Sequence, residues 1–97
     1  MIIEDILLIS VACLEMIEQE QYEGMEIDIT KSLDYLHAYL QENKLASLGE
    51  HELSVLQTIH ANHNKAIQLL GQHKQNITEQ LSNLQKGRKL GQVYYNV

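Results

Sequence analysis

Two histidines at helical spacing, His60 and His63, are the residues best suited to chemistry in this 97-residue chain. An i, i+3 spacing brings both imidazoles near one helical face, where they could supply two ligands to zinc. A zinc site needs a third or fourth ligand, and the chain has a single cysteine and no H-E-x-x-H motif. A helical histidine can also accept a phosphoryl group. A metal-binding or histidine phosphotransfer bundle is therefore kept as an alternative, although we expect neither metal nor cofactor.

The other common catalytic patterns have no matching residues. The five glycines are isolated along the chain, so neither a P-loop nor a dinucleotide-binding fingerprint is present. A chain of this size also buries only a modest core, which leaves little room for a built pocket. We therefore expect a binding or assembly protein and not an enzyme.

The composition predicts an all-α fold. Proline, phenylalanine and tryptophan are absent, whereas isoleucine, leucine, glutamine and glutamate are abundant. These proportions are typical of amphipathic helices in a bundle. We expect one domain over residues 1–97, an antiparallel three-helix bundle or coiled-coil hairpin with a long C-terminal helix.

Apolar spacing predicts helices over about residues 2–23, 29–44 and 50–86, followed by a flexible basic tail over residues 87–97. Gly24 is expected to end the first helix, because glycine readily adopts the left-handed conformation. Asp28 or Thr30 is expected to cap the second helix. Ser47 and Glu50 have the spacing of a capping box before the third.

The third predicted helix has the most regular apolar pattern, an unbroken 3,4 alternation that we call the heptad stripe. Its members are Leu53, Leu56, His60, His63, Ile67, Leu70, Lys74, Ile77, Leu81 and Leu84. A helix over residues 50–85 would be roughly 54 Å long, more than the two shorter helices can cover. We therefore expect an exposed apolar surface around Ile77, Leu81 and Leu84. A bend at Gly71 that makes a compact four-helix bundle is the alternative.

Charge is divided unevenly along the chain. Residues 1–52 carry twelve acidic and two basic side chains, whereas residues 53–97 carry one acidic and five basic side chains. The halves could attract each other within the fold, or each could face a different partner. The few dispersed basic residues make a poor surface for nucleic acid, which we do not expect as a partner.

The single cysteine, Cys13, lies in an apolar run and is expected to be a buried thiol in a reducing compartment. The N-terminal segment has acidic residues where a signal peptide would be basic. Its longest uncharged run, residues 6–14, is far below the roughly 20 residues of a membrane span. We expect a cytoplasmic protein without membrane insertion.

The region of residues 53–95 resembles the long last helix of FlgN-type flagellar export chaperones. The resemblance lies in His-Ala-Asn-His-Asn-Lys-Ala-Ile-Gln-Leu-Leu from His60, then in the run from Ile77 to Leu81, then in a tyrosine after a basic, glycine-containing linker. An asparagine pair before aliphatic residues, here Asn62 and Asn64, is part of that pattern. The Lys-Gly-Arg-Lys and tyrosine ending is also similar to FliT-type relatives.

This resemblance implies a cytosolic chaperone that binds C-terminal helices of hook-associated proteins and escorts them to the type III export gate. The long helix would then bind the client, with Tyr94 and Tyr95 as candidates for docking at the gate. The expected client-binding residues are Ile67, Leu70, Ile77, Leu81 and Leu84. A structural homodimer, with two long helices covering each other antiparallel, is the second hypothesis.

Overall fold

A computed structural model describes the backbone of residues 2–95 and the side chains of residues 2–82. Over this range the chain forms α1 (Ile3–Glu18), α2 (Met25–Glu42), a single 3-10 turn (Leu45–Ser47) and α3 (Glu50–Tyr95). The predicted all-α fold, three helices with a long C-terminal one, is confirmed. Consecutive helices run antiparallel, and α3 packs most extensively against α1 and least against α2.

Helix α1 ends at Glu18, earlier than predicted, in a Schellman motif. The amide of Gln21 donates to the Met16 carbonyl and the amide of Glu20 to the Ile17 carbonyl, at 2.9 and 3.0 Å. Glu20 adopts the left-handed conformation that this motif requires, with φ of 62°. Gly24 was expected to end α1, but it lies just before α2, with φ of 73°.

Glycine at position 20 is expected to raise the free energy of unfolding. A residue with a Cβ in the left-handed conformation costs roughly 1–2 kcal/mol, and glycine avoids this cost. Glycine also raises the entropy of the unfolded chain, which offsets part of the benefit. We therefore expect Glu20→Gly to raise the free energy of unfolding by about 0.5–1 kcal/mol. Urea unfolding followed by circular dichroism measures it. The matched control is Glu18→Gly, inside α1, which should destabilise by about 1 kcal/mol. A Glu20→Gly protein no more stable than the parent would contradict this account of the helix end.

The starts of α2 and α3 also differ from the predicted caps. Helix α2 begins four residues earlier than expected, so Thr30 lies inside it and its hydroxyl donates to the Glu26 carbonyl at 2.8 Å. The Ser47 hydroxyl donates backwards to the Lys44 carbonyl at 2.7 Å. It therefore closes the 3-10 turn and does not cap α3, which begins at Glu50.

Helix α3 has 46 residues and continues through the segment that was predicted to be a flexible tail. At 1.5 Å per residue it is about 69 Å long, close to the longest dimension of the molecule, 72 Å. The helix is therefore straight, and it does not fold back at Gly71. Gly87 and Gly91 each lower helix propensity by about 1 kcal/mol, but no proline interrupts the good helix formers between them. Residues 78–95, which we call the extension, continue past α1 and α2.

The core consists of two apolar clusters with a polar layer between them. One cluster, next to the α1–α2 loop, comprises Cys13, Ile17, Met25, Ile29, Ala66 and Leu70. The other, at the opposite end, comprises Ile3, Ile6, Leu36, Val55 and Ile59. The polar layer has one buried residue from each helix, Ser10, Ser32 and His63. Each helix thus interrupts its apolar face at the same level of the bundle.

The buried face of α3 is displaced from the heptad stripe. Val55, Ile59 and Ala66 are buried, whereas Ile67 is 47% exposed. The small side chain of Ala66 suits the close packing of α3 against α1. Only His63 and Leu70 of the heptad stripe are buried within the described part of the chain. The remaining described members of the stripe lie on the α2 side of α3 or beyond the bundle.

Candidate functional site

The polar layer brings His63 to a serine from the neighbouring helix. The Ser32 hydroxyl lies 2.6 Å from Nε2 of His63, and both residues are almost fully buried. The Nδ1 atom of His63 is buried without a hydrogen-bond partner. On the α1 side, the Asn62 amide donates to the Ser10 hydroxyl, which itself donates to the Leu7 carbonyl. The hydroxyl of Ser10 is therefore fully hydrogen-bonded, whereas the ring of His63 has one nitrogen without a hydrogen-bond partner.

Burial lowers the pKa of His63 from its ordinary value of 6.5, and the neighbouring His60 lowers it further. A protonated ring would need two hydrogen-bond acceptors, and only the Ser32 hydroxyl is within reach. The ring is thus held neutral by its surroundings. Because only 2% of its surface is exposed, this histidine has no visible access for a substrate. Its geometry is that of a core residue.

The two histidines of the predicted pair lie in different surroundings. His60 is exposed, and its Nε2 atom is 3.1 Å from the Asn64 amide nitrogen. His63 points into the bundle towards Ser32. Among the described side chains, no three of histidine, cysteine, aspartate and glutamate come together as a metal-ligand group. The structure therefore does not bring the H-x-x-H residues together with further ligands.

Two apolar pockets follow the line where α2 and α3 meet, and together we call them the groove. Its half near the α1–α2 loop is lined by Ile29 and Leu33 from α2 and by Ile67 and Leu70 from α3, and it encloses about 450 Å³. Its other half is lined by Leu36, Leu40, Leu45, Leu53 and Leu56. Leu45, from the α2–α3 connection, is 61% exposed. The groove is open because α3 packs closely on α1 and only loosely on α2.

The heptad stripe lines this groove. Leu53, Leu56, Ile67 and Leu70 face it, and Ile77 continues the line beside the α1–α2 loop. The stripe pattern thus identified a real surface of α3, although not the core surface. The residues of α2 that complete the groove come from its own apolar face, which the sequence signalled through Ile29, Leu33, Leu36 and Leu40.

The helix that forms one side of the groove, α2, is acidic, although only Glu26 among its acidic residues lines the groove itself. Helix α2 carries Glu26, Asp28, Asp34 and Glu42 against Lys31 as its single basic residue. At the loop end, Lys74 of α3 forms an ion pair with Glu26 across the groove. A second pair joins Lys65 to Glu18 of α1 at 3.4 Å. Both pairs are exposed and contribute at most about 1 kcal/mol each, so most of the acidic charge on α1 and α2 remains available to a partner.

The expected client-binding residues fall in three environments. Ile67 and Leu70 line the groove, with Leu70 largely covered by the bundle. Ile77 and Leu81 lie at and beyond its open end, 41% and 55% exposed. The side chains of Leu84 and of the predicted docking residues, Tyr94 and Tyr95, lie outside the described residues.

An aromatic contact fixes the loop at the open end of the groove. The Tyr22 ring stacks on the His73 ring with centroids 3.6 Å apart and planes within 9°. The pocket between this loop and α3 includes Met25, Ile27 and Ile77. No sequence pattern predicts this pairing, because the two residues are brought together only when the α1–α2 loop folds against α3.

No protein-family model matches the chain, and the comparisons with curated proteins and with solved structures found no match either. In the described part of the chain, no helix is both long enough and apolar enough to cross a membrane. The groove and its charge are therefore the features on which a function can be argued.

Proposed function

We propose that this chain is a cytoplasmic, non-enzymatic chaperone or adaptor that binds an amphipathic helix of a client protein in the α2–α3 groove. The observation that carries the proposal is the groove itself: α2 and α3 line apolar pockets on both sides of the Ser32–His63 contact and pack together less than α1 and α3 do. An apolar client helix laid between α2 and α3 would add a fourth helix to the three of the bundle. Helix-in-groove binding of this kind uses apolar anchors at i, i+3, i+4 and i+7 on the client.

The client class comes from the sequence resemblance alone. FlgN-type chaperones bind C-terminal helices of hook-associated proteins, so the proposed clients are such type III export substrates. The binding surface would continue from Ile67 and Leu70 to Ile77, Leu81 and Leu84. Tyr94 and Tyr95 would then be available to dock on an export-gate component.

Burial of the exposed side chains supports a useful affinity. Apolar surface contributes about 25 cal/mol per Å² removed from water, before the ordering of the client is subtracted. Ile67, Ile77 and Leu81 each expose at least two fifths of their surface, so each has apolar area left to bury.

A charged residue in this surface is expected to weaken client binding without unfolding the bundle. For Leu81→Asp we expect at least about a tenfold loss of affinity, equivalent to about 1.4 kcal/mol. Isothermal titration calorimetry with a peptide of the C-terminal helix of a hook-associated protein measures the affinity, and circular dichroism checks the fold.

The matched control is Leu8→Asp, the same change at an α1 residue that is 66% exposed and lines no part of the groove. It should bind like the parent chain. Equal losses in both variants would argue against this apolar surface of α3 as the binding site, and global unfolding of Leu81→Asp would place that residue in the core. If no such peptide binds the parent chain, the flagellar client class is wrong.

A further inference from the structure

One chain carries two surfaces that are complementary to each other. The groove is apolar, and α2, which forms one side of it, carries four acidic residues against one lysine. The extension continues the apolar stripe at Leu81, which is 55% exposed, and from residue 80 onwards the sequence contains Lys86, Arg88 and Lys89 but no acidic residue. A basic, apolar-striped helix is the chemistry that the groove fits.

We propose that a second copy of this chain covers the groove, with the two α3 helices antiparallel, so that the extension of each copy lies along the groove of the other. The groove is the one used in the proposed function, but this inference requires no client. Each bundle would gain a fourth helix, and every contact would occur twice around a two-fold axis.

The regularity of the heptad stripe supports this arrangement. The 3,4 spacing runs without a break from the groove residues Leu53 and Leu56 to the exposed residues Ile77 and Leu81. A stripe that keeps one face over that length is the pattern of a helix paired with another long helix. Helices α1 and α2 have 16 and 18 residues, so they can pack along only the first half of α3, which has 46.

Charge favours the antiparallel direction. A parallel pair would place the two acidic bundles side by side and the two basic extensions side by side. An antiparallel pair places each basic extension beside the acidic α2 of the other copy. Like charges brought together destabilise an interface and unlike charges steer it, so the antiparallel arrangement is the favoured one.

The length of α3 sets the register. Gly71 lies near the middle of the 46-residue helix, and a Cβ added there would meet nothing within 4 Å. Pairing the helices about a two-fold axis next to Gly71 uses their full length and allows a close approach where no side chain intervenes. In that register Ile67 of one copy lies opposite Ile77 of the other.

Disulfide trapping tests both the partner and the register. Two single variants, Ile67→Cys and Ile77→Cys, are prepared, one of them labelled with ¹⁵N so that a mixed dimer has its own mass. Each changes a residue that is more than two fifths exposed. We expect a covalent dimer after mild oxidation of the mixture, and little or none from either variant alone. In this register the same residue in the two copies, position 67 or position 77, would be offset by ten positions along the helix pair. That offset is about 15 Å, well beyond the reach of a disulfide.

The parent chain is the control, because its only cysteine, Cys13, is buried and should form no dimer under the same conditions. Light scattering on the parent chain should report a dimer whose population falls as salt is raised. Disulfides formed equally well by each variant alone would indicate a parallel pair and overturn the proposed register. A strict monomer at high concentration, with no mixed disulfide, would overturn the proposal. A client peptide that binds such a monomer would leave the proposed function intact.

Discussion

Replacing Ile59 with alanine is expected to lower the free energy of unfolding by about 3 kcal/mol, because it removes a fully buried side chain from a close-packed cluster. Ile59 has no exposed surface and packs with Ile6 and Val55 between α1 and α3. The bundle is small, and neighbouring side chains can only partly fill the cavity. Urea unfolding followed by circular dichroism gives the change.

The matched control is Ile67→Ala, the same chemical change on the same helix. Ile67 is 47% exposed at the groove, so its loss should cost no more than about 1 kcal/mol. Helix propensity changes equally at both positions and cancels in the comparison. Similar losses at both positions would mean that the groove side of α3 is as well packed as the α1 side, and that the groove is not open to a partner.

Replacing Ser32 with alanine is expected to destabilise the fold by about 2 kcal/mol. The change removes the one hydrogen bond that the buried His63 ring makes, and an unsatisfied buried polar group costs about 1–3 kcal/mol. The double variant Ser32→Ala/His63→Leu removes both polar groups and should recover most or all of that loss. A double variant that is less stable than Ser32→Ala would show that the polar layer stabilises the fold in some other way.

Comparison with the same double variant isolates the contribution of His63 to the pH dependence of the free energy of unfolding. Because burial and then His60 lower the pKa of His63, the unfolded chain takes up this proton more readily than the folded chain. Stability is therefore full above the ordinary pKa of 6.5 and declines as the pH falls below it, until the lowered folded-state pKa is passed. The stability of the parent chain relative to the double variant should therefore fall as the pH is lowered through and below 6.5. A difference in stability that stays constant over this pH range would contradict this role of His63.

The helices and the excess length of α3 could be predicted from the sequence, because both depend on local properties. Apolar periodicity and the absence of proline decide where helices form, and 1.5 Å per residue decides how far they reach. The end of α1 could not be predicted, because Glu20 adopts a conformation that glycine usually takes, and Gly24 was available nearby. The end of α3 was missed for a related reason, since Gly87 weakens a helix without ending it.

Which face of α3 is buried could not be predicted from the sequence of α3 alone, because it depends on the neighbouring helices. A helix packed beside two others has two apolar faces, and the more regular, leucine-rich face of α3 lies at the groove while the other lies in the core. The buried face contains Val55, Ile59 and Ala66. The polar layer was missed because Ser32 and His63 come from different helices, and their contact depends on the relative level of those helices. The groove follows from both facts, and only the three-dimensional arrangement shows it.

The polar layer has a consequence for cooperativity. With Ser10, Ser32 and His63 between them, the two apolar clusters are adjoining packing units along one continuous α3. Local opening spreads within contiguous packing, so one unit can loosen while the other stays closed. The groove spans both units, with Ile29 and Leu33 in one half and Leu36 and Leu40 in the other. A helix bound along it would join the two units, so that the bundle would open as a whole or not at all.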